Sequence, residues 1–207
     1  MVYQSPYSYE RFIVSTPSTE CSSTTADLKS WLRVDTSDED TEIAFIGMAC
    51  QNLLEDLTNT TMLQQTMKVY FDGFPPEGTP MRLPRPPLIS VTSIKYVDSD
   101  GTQQTWSNTL YEVSTLGKMP AEILPIESEN YPTTGSTPTA SVFNKVEVEY
   151  TAGYASRGEI PEGFVVGHRM FVGHFYNNRE ATTTDRVKDL PLGLQMIVAA
   201  NKVPEVN

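Results

Sequence analysis

The stretch Leu63-Gln64-Gln65-Thr66-Met67-Lys68-Val69-Tyr70-Phe71-Asp72 sets the fold class. Leu63, Gln65, Met67, Val69 and Phe71 alternate with Gln64, Thr66, Lys68, Tyr70 and Asp72, the period of a strand with one wet face. Just upstream the period is helical. Thr24 and Asp27 have capping-box spacing, with Asp in place of the usual Glu, and Leu28, Trp31 and Leu32 share a face. A second helix start at Ser37 is followed by Asp38, Glu39 and Asp40, acids that suit a helix N-terminus. Ile43, Ile46, Cys50, Leu53, Leu54 and Leu57 carry helical spacing to about Asn59.

Downstream the strand signals continue. Pro84-Arg85-Pro86-Pro87 can be neither helix nor central strand and reads as a rigid extended connector. Val91 to Val97, the turn Asp98-Ser99-Asp100-Gly101 and Thr102 to Trp106 form a hairpin signature. Short strands are expected near Tyr111–Val113 and Glu122–Leu124, then a polar loop over 127–144. Val146, Val148 and Tyr150 alternate with Lys145, Glu147 and Glu149, again one wet face. Helix returns at Pro161, with Phe164, His168, Phe171, Val172 and Phe175 on one apolar face up to about Glu180. Residues 181–190 read as a polar loop, and Pro191 opens a last short helix through Leu192, Met196, Ile197 and Ala200.

The order is helix, helix, strands, helix, helix. It predicts an α+β fold: a small helical bundle, with helices from both chain ends, and an inserted antiparallel β region. Residues 1–23 lack periodicity and read as an N-terminal arm. Residues 24–203 read as a single domain, with helices over 24–59, the β insertion over 61–155 and helices over 161–203; 204–207 are a short tail.

A chain of 207 residues buries roughly 70% of its unfolded surface, enough for one real core and a second small layer. Hydrophobic residues are 39% and charged residues 20%, which argues against wholesale disorder. The net charge is −11, of which residues 24–59, with eight acids and two bases, contribute −6. Such a chain is a poor gripper of nucleic-acid phosphate, because that affinity comes mainly from Lys and Arg. The charge does not exclude a protein that lets nucleic acid slide past. Cys21 and Cys50 are in no CxxC arrangement, so neither a disulfide framework nor a zinc site is expected. No signal peptide is expected at residues 1–10, and no apolar run approaches the ~20 residues of a membrane span.

The motifs that could carry catalysis read as structural. His168 and His174 are six residues apart, roughly 120° around a helix, and cannot jointly hold a metal. His168 falls on the apolar face and reads as a satisfied core or interface histidine. Asp98-Ser99-Asp100-Gly101 lacks the third ligand of a calcium loop, and its twelfth position is Thr109 rather than Glu. No GxSxG, P-loop, HExxH or GxGxxG motif is present, and no spacing supports a Ser-His-Asp set. Gly163 and Gly167 make a GxxxG pattern, interrupted as a membrane motif by His168 and Arg169, and so read as a site of close packing in a bundle. Asn59-Thr60-Thr61 is a chance glycosylation match. No enzyme, cofactor or metal is expected.

A longer string of features carries a resemblance. Leu53-Leu54-Glu55 closes a helix that leads into a strand. Then follow Leu83-Pro84-Arg85-Pro86-Pro87-Leu88, Tyr96-Val97-Asp98-Ser99-Asp100-Gly101, Tyr150-Thr151-Ala152-Gly153-Tyr154, Ile160-Pro161, and a helix ending His174-Phe175-Tyr176-Asn177-Asn178-Arg179-Glu180. Leu190-Pro191 and a short terminal helix finish the order. In this order the pieces resemble the head–tail connector proteins of tailed bacteriophages, also called head-completion or DNA-packaging adaptors, with relatives in gene transfer agents. The resemblance spans about residues 24–203. The final helix departs from the family's frequent aromatic-basic ending and reads Ala200-Asn201-Lys202.

The resemblance implies a structural virion protein of the neck, made in the host bacterial cytoplasm. It would form a ring, typically twelvefold, that binds the portal protein after DNA packaging and continues the DNA channel. The ring would offer a docking platform to the next neck or tail protein, with no membrane partner. The rival readings are a tail terminator or stopper of the same neck, a generic binding module, and an enzyme with an unrecognised site. Leu192, Leu194, Met196, Ile197 and Val198 carry more apolar surface than one thin helix can bury on one side, and are expected at the portal or subunit interface. Asp38, Glu39, Asp40, Glu147 and Glu149 are the acids expected to face the channel, where they would repel DNA without binding it.

Overall fold

The computed structural model describes residues 11–115, 119–135, 143–178 and 192–203. Over these residues the fold is mixed α+β, with four α-helices and two antiparallel sheets. The chain divides into two compact units. One comprises the described residues of 11–17 and 64–153, and the other those of 18–63 and 154–203. The boundaries fall where the helical and strand periods exchange.

In the β unit a five-stranded sheet has the order β1-β2-β8-β4-β5, from Arg11–Thr16, Gln65–Phe71, Val146–Ala152, Leu88–Val97 and Gln103–Trp106. A three-stranded sheet has the order β3-β7-β6, from Met81–Leu83, Ala121–Pro125 and Tyr111–Ser114. The expected alternation holds in β2 and β8. Met67, Val69 and Phe71 are buried with Val146, Val148 and Tyr150, while Lys68 and Tyr70 lie opposite Glu149 and Glu147 on the wet face. Both sheets feed one core, which also takes Met81, Leu83 and Ile123 from the smaller sheet. Phe74, Tyr96, Trp106, Tyr111 and Tyr131 make a ring cluster with centroid separations between 4.8 and 5.7 Å. The proline-rich connector over 84–87 leads from β3 to β4, and the buried Tyr150 hydroxyl donates to the Pro84 carbonyl at 2.9 Å.

The helical unit contains α1 (Thr25–Leu32), α2 (Asp40–Thr58), α3 (Glu162–Asn177) and α4 (Leu192–Asn201). The capping box forms: the Asp27 amide donates to Thr24 Oγ1 and the Thr24 amide to the Asp27 carboxylate, each at 3.1 Å. Arg33 ends α1 at φ 59° and Asn59 ends α2 at φ 54°, both left-handed caps. Leu28, Ile43, Leu54, Met62, Phe164, Phe171, Val172 and Leu194 are fully buried in one core. Each such side chain contributes about 1.5–3 kcal/mol by leaving water. The exit of α4 is tied to the end of α2, because the Val203 amide donates to the Thr58 carbonyl at 2.8 Å and Asn59 Nδ2 donates to the Val203 carbonyl at 3.2 Å.

The lead-in differs from the expected arm. Residues 11–16 form the edge strand β1, and residues 18–23 belong to the helical unit, with Ser22 and Ser23 buried. Arg11-Phe12-Ile13-Val14 places its apolar residues in a run, so the period-two signal is absent although the segment pairs with β2. The three-residue β3 is too short to show a period. Part of the expected loop over 127–144 is also fixed: the Tyr131 hydroxyl donates to the Thr79 and Ile123 carbonyls, and the Gly135 amide donates to the Val97 carbonyl. The expected loop over 181–190, Pro191, the tail 204–207 and the start of the arm lie outside the described residues. Among the described residues no helix is long and apolar enough to cross a membrane.

Candidate functional site

The chemistry-bearing side chains of the helical unit meet around His168, which α3 holds fully buried. Its Nε2 lies 2.9 Å from the Gly47 carbonyl of α2, which can only accept, so Nε2 carries the hydrogen. Nδ1 is then the acceptor and lies 3.4 Å from the Ser23 hydroxyl. Cys21 Sγ is 3.6 Å from Nε2, the protonated nitrogen, which cannot take a proton from it. Burial pushes the Cys21 thiol up and the His168 imidazole down, holding both neutral. Cys50, also buried, is pushed up to about 12. The arrangement therefore makes His168 a polar strut between α2, α3 and residues 21–23. His174 is half-buried with its ring edge-on to Phe175, so the two histidines do not share a site. Among the described residues no three His, Cys, Asp or Glu side chains are grouped to hold a metal ion.

The turn at 98–101 caps itself. The Asp98 carboxylate accepts from the Asp100 and Thr102 amides and from Gln104 Nε2 at 2.9–3.0 Å, which holds its carboxyl below the usual range. Gly101 supplies the positive φ of 81° that the hairpin needs.

The five acids expected at a channel wall have different settings. Asp38 is exposed ahead of α2. Glu39 is half-buried and accepts from the Tyr176 hydroxyl. Asp40 is paired with Lys29 Nζ at 2.6 Å. Glu147 and Glu149 flank Lys68, whose Nζ lies 3.0 and 3.5 Å from their carboxylates. Lys68 therefore offsets one of the two β8 charges within the chain, a feature the alternation of β8 alone does not reveal.

The α4 residues expected at an interface also divide. Leu194 is fully buried in this unit's own core and is unavailable to a partner. Ile197 packs on α3: a Cβ at Gly167 would lie 2.8 Å from its Cγ2. Val198 packs partly against the same core. Leu192 and Met196 point outward, 73% and 65% exposed. The GxxxG pattern thus works through Gly167, while Gly163 meets nothing closer than 3.9 Å.

Spacing alone missed one feature, an open groove between α2 and α3 of about 370 Å³, lined by Glu42, Phe45, Ile46, Ala49, Leu53 and Phe175 among others. Phe45 is 70% exposed, and Phe175, expected on the buried face, is 41% exposed. The available signal was Phe45, an aromatic lying off the Ile43, Ile46, Cys50, Leu53 stripe.

No protein-family profile matches the chain, and no curated protein matches it. Solved structures do. A chain of the virion of a native gene transfer agent particle matches with TM-score 0.75 and 17% identity, covering 95% of this chain and 97% of its own. A chain from the neck of an empty gene transfer agent particle, computed with C6 symmetry, gives the same values. One from the neck of a native particle, computed with C12 symmetry, matches with TM-score 0.68 and 14% identity over 94% and 97%. The two folds are the same nearly end to end. At these identities the likeness is one of fold.

Proposed function

We propose that this chain is a structural neck protein of a phage-like particle, a head–tail connector that forms a ring. The single observation that supports this most is fold likeness over nearly the whole of both chains to proteins of gene transfer agent virions and necks. A shared fold alone leaves function open. Here it joins the connector-like order of motifs along residues 24–203 and a helical unit that presents apolar side chains outward. In this reading the helices from both chain ends make the connector's bundle and the β region is its insertion. The ring binds the portal protein, adjoins the next neck or tail protein, and has no catalytic task.

The charge suits a conduit. Twelve copies at −11 each carry −132. Such a wall repels the duplex within a Debye length of roughly 8 Å at physiological salt and keeps it centred without binding it. Lys68 offsets one of the Glu147 and Glu149 charges and Lys29 pairs Asp40, so the exposed Asp38 is the best candidate for that wall.

Electron microscopy of particles made with and without this protein tests the reading. The expected result is loss of a ring beneath the portal, with heads that leak DNA and do not join tails. Full heads joined to tails in its absence would overturn it. Co-purification with free tails and not with tail-less heads would assign it to the tail side, as a terminator.

A further inference from the structure

α4 has no charged residue, and apolar side chains lie on both of its sides. One side is used within the chain: Leu194 is buried, and Ile197 and Gly193 lie against Gly167 and Met170 of α3. On the other side Leu192 and Met196, one turn apart, form an exposed ridge. A helix apolar on both sides calls for cover on both.

The same unit carries a feature of opposite shape, the α2–α3 groove with Phe45 and Phe175 at its surface. The Leu192–Met196 ridge is about 6 Å long and fits within the groove, whose α2 wall runs about 16 Å from Glu42 to Leu53. The two match in charge. Glu42 is the one charged residue lining the groove, and Lys202 is the one charged residue following the ridge among the described residues. With the two helices antiparallel and Leu192 at the Leu53 end, Lys202 reaches Glu42. α2 carries four acids and no base, so most surfaces of a second copy of this acidic chain would be repelled there. The uncharged α4 is not.

We infer that the Leu192/Met196 ridge of one copy seats in the Phe45/Phe175 groove of the next, forming the subunit contact of the ring; this rests on the neck reading above. Ridge into groove is a head-to-tail contact, the kind that closes into a ring when the rotation between copies permits. It assigns the outer face of α4 to a neighbouring copy rather than to the portal.

The test places p-benzoylphenylalanine at position 45, where exposure of the ring leaves folding undisturbed, and irradiates particles that contain the protein. The expected result is a ladder at multiples of 23.1 kDa, with the position-45 peptide joined to the peptide carrying residues 192–202. Linkage within one chain, or to another particle protein such as the portal, in particles that show the ring would overturn this contact and leave the neck reading standing. Particles that lack both the ring and the protein would overturn the neck reading, and the contact with it. As a second arm, Met196→Glu is expected to cut incorporation into particles at least tenfold while Met196→Leu incorporates normally. Normal incorporation of Met196→Glu would also overturn the contact.

Discussion

The β unit and the helical unit solve the problem of polar groups in opposite ways. In the β unit the pleat sends Lys68, Glu147 and Glu149 to one face and Met67, Val69, Val148 and Tyr150 to the other, so polarity and burial separate along each strand. Gln65 is its one buried polar residue among those described. In the helical unit Ser22, Ser23, Gln51, Glu55, Thr58, Thr60, Thr61 and His168 are inside, while Phe45, Phe175, Leu192 and Met196 are outside. Its buried groups need specific partners: Glu55 accepts from the Met62 amide at 2.8 Å, Gln51 from the Ser22 amide at 2.6 Å, and His168 donates to Gly47. An interior held by such bonds is costly to disturb. An exterior of this kind is suited to contact with other chains. Burial thus follows the period where the pattern is simple, and departs from it where the pattern is mixed.

The largest effect should come from cutting either core. Phe171→Ala and Ile94→Ala each remove a fully buried side chain, at a cost of about 3–5 and 2–5 kcal/mol respectively. Hydrogen exchange followed through each variant should show Phe171→Ala releasing amides of α1–α4 before those of the sheets, and Ile94→Ala the reverse. Simultaneous release in both variants would break the comparison, because the units would then melt as one.

Next in size is a sign test within one helix. Gly167→Ala forces a methyl to within 2.8 Å of Ile197 Cγ2 on a stiff branched side chain, an overpacking of about 1–3 kcal/mol that outweighs the gain in helix propensity. Gly163→Ala meets nothing closer than 3.9 Å and should be neutral or stabilising by up to about 1 kcal/mol. Thermal unfolding of the pair should move in opposite directions, and a shared direction would remove Gly167 as the seat of α4.

The smallest effect is a slope in pH. Burial lowers the His168 pKa below its ordinary 6.5, with Arg169 adding to this and the Gly47 hydrogen bond opposing it. The unfolded chain therefore takes up a proton at higher pH than the folded one. The stability from neutral His168 is full above about pH 6.5 and is lost as pH falls from there through the folded value. His168→Gln should flatten that part of the stability–pH curve, measured by denaturant unfolding between pH 5 and 8. An unchanged slope would show that His168 does not titrate across unfolding.

The sequence by itself determined most of the elements. The alternation over 63–72 and 145–150, the Asp98-Ser99-Asp100-Gly101 turn, the Thr24/Asp27 box and the helical face from Phe164 to Val172 are local codes, each written in side-chain period or turn chemistry within a few residues. The helical face marked His168 as a core histidine, while the connector resemblance rested on another string of motifs, Leu83–Leu88, Tyr96–Gly101 and Tyr150–Tyr154 among them. Only the tertiary structure decided what those elements do to one another. It turned Arg11–Thr16 into an edge strand, because pairing with β2 comes from a partner some 55 residues away and leaves no local period. It set Lys68 between Glu147 and Glu149 across a strand pair, offsetting one of their two charges. It divided α4 into a buried Leu194 and an exposed Leu192 and Met196, which a helix apolar all round cannot announce. It also opened the groove beside Phe45, since which stripe of a helix is covered depends on a neighbour contributed by the other end of the chain.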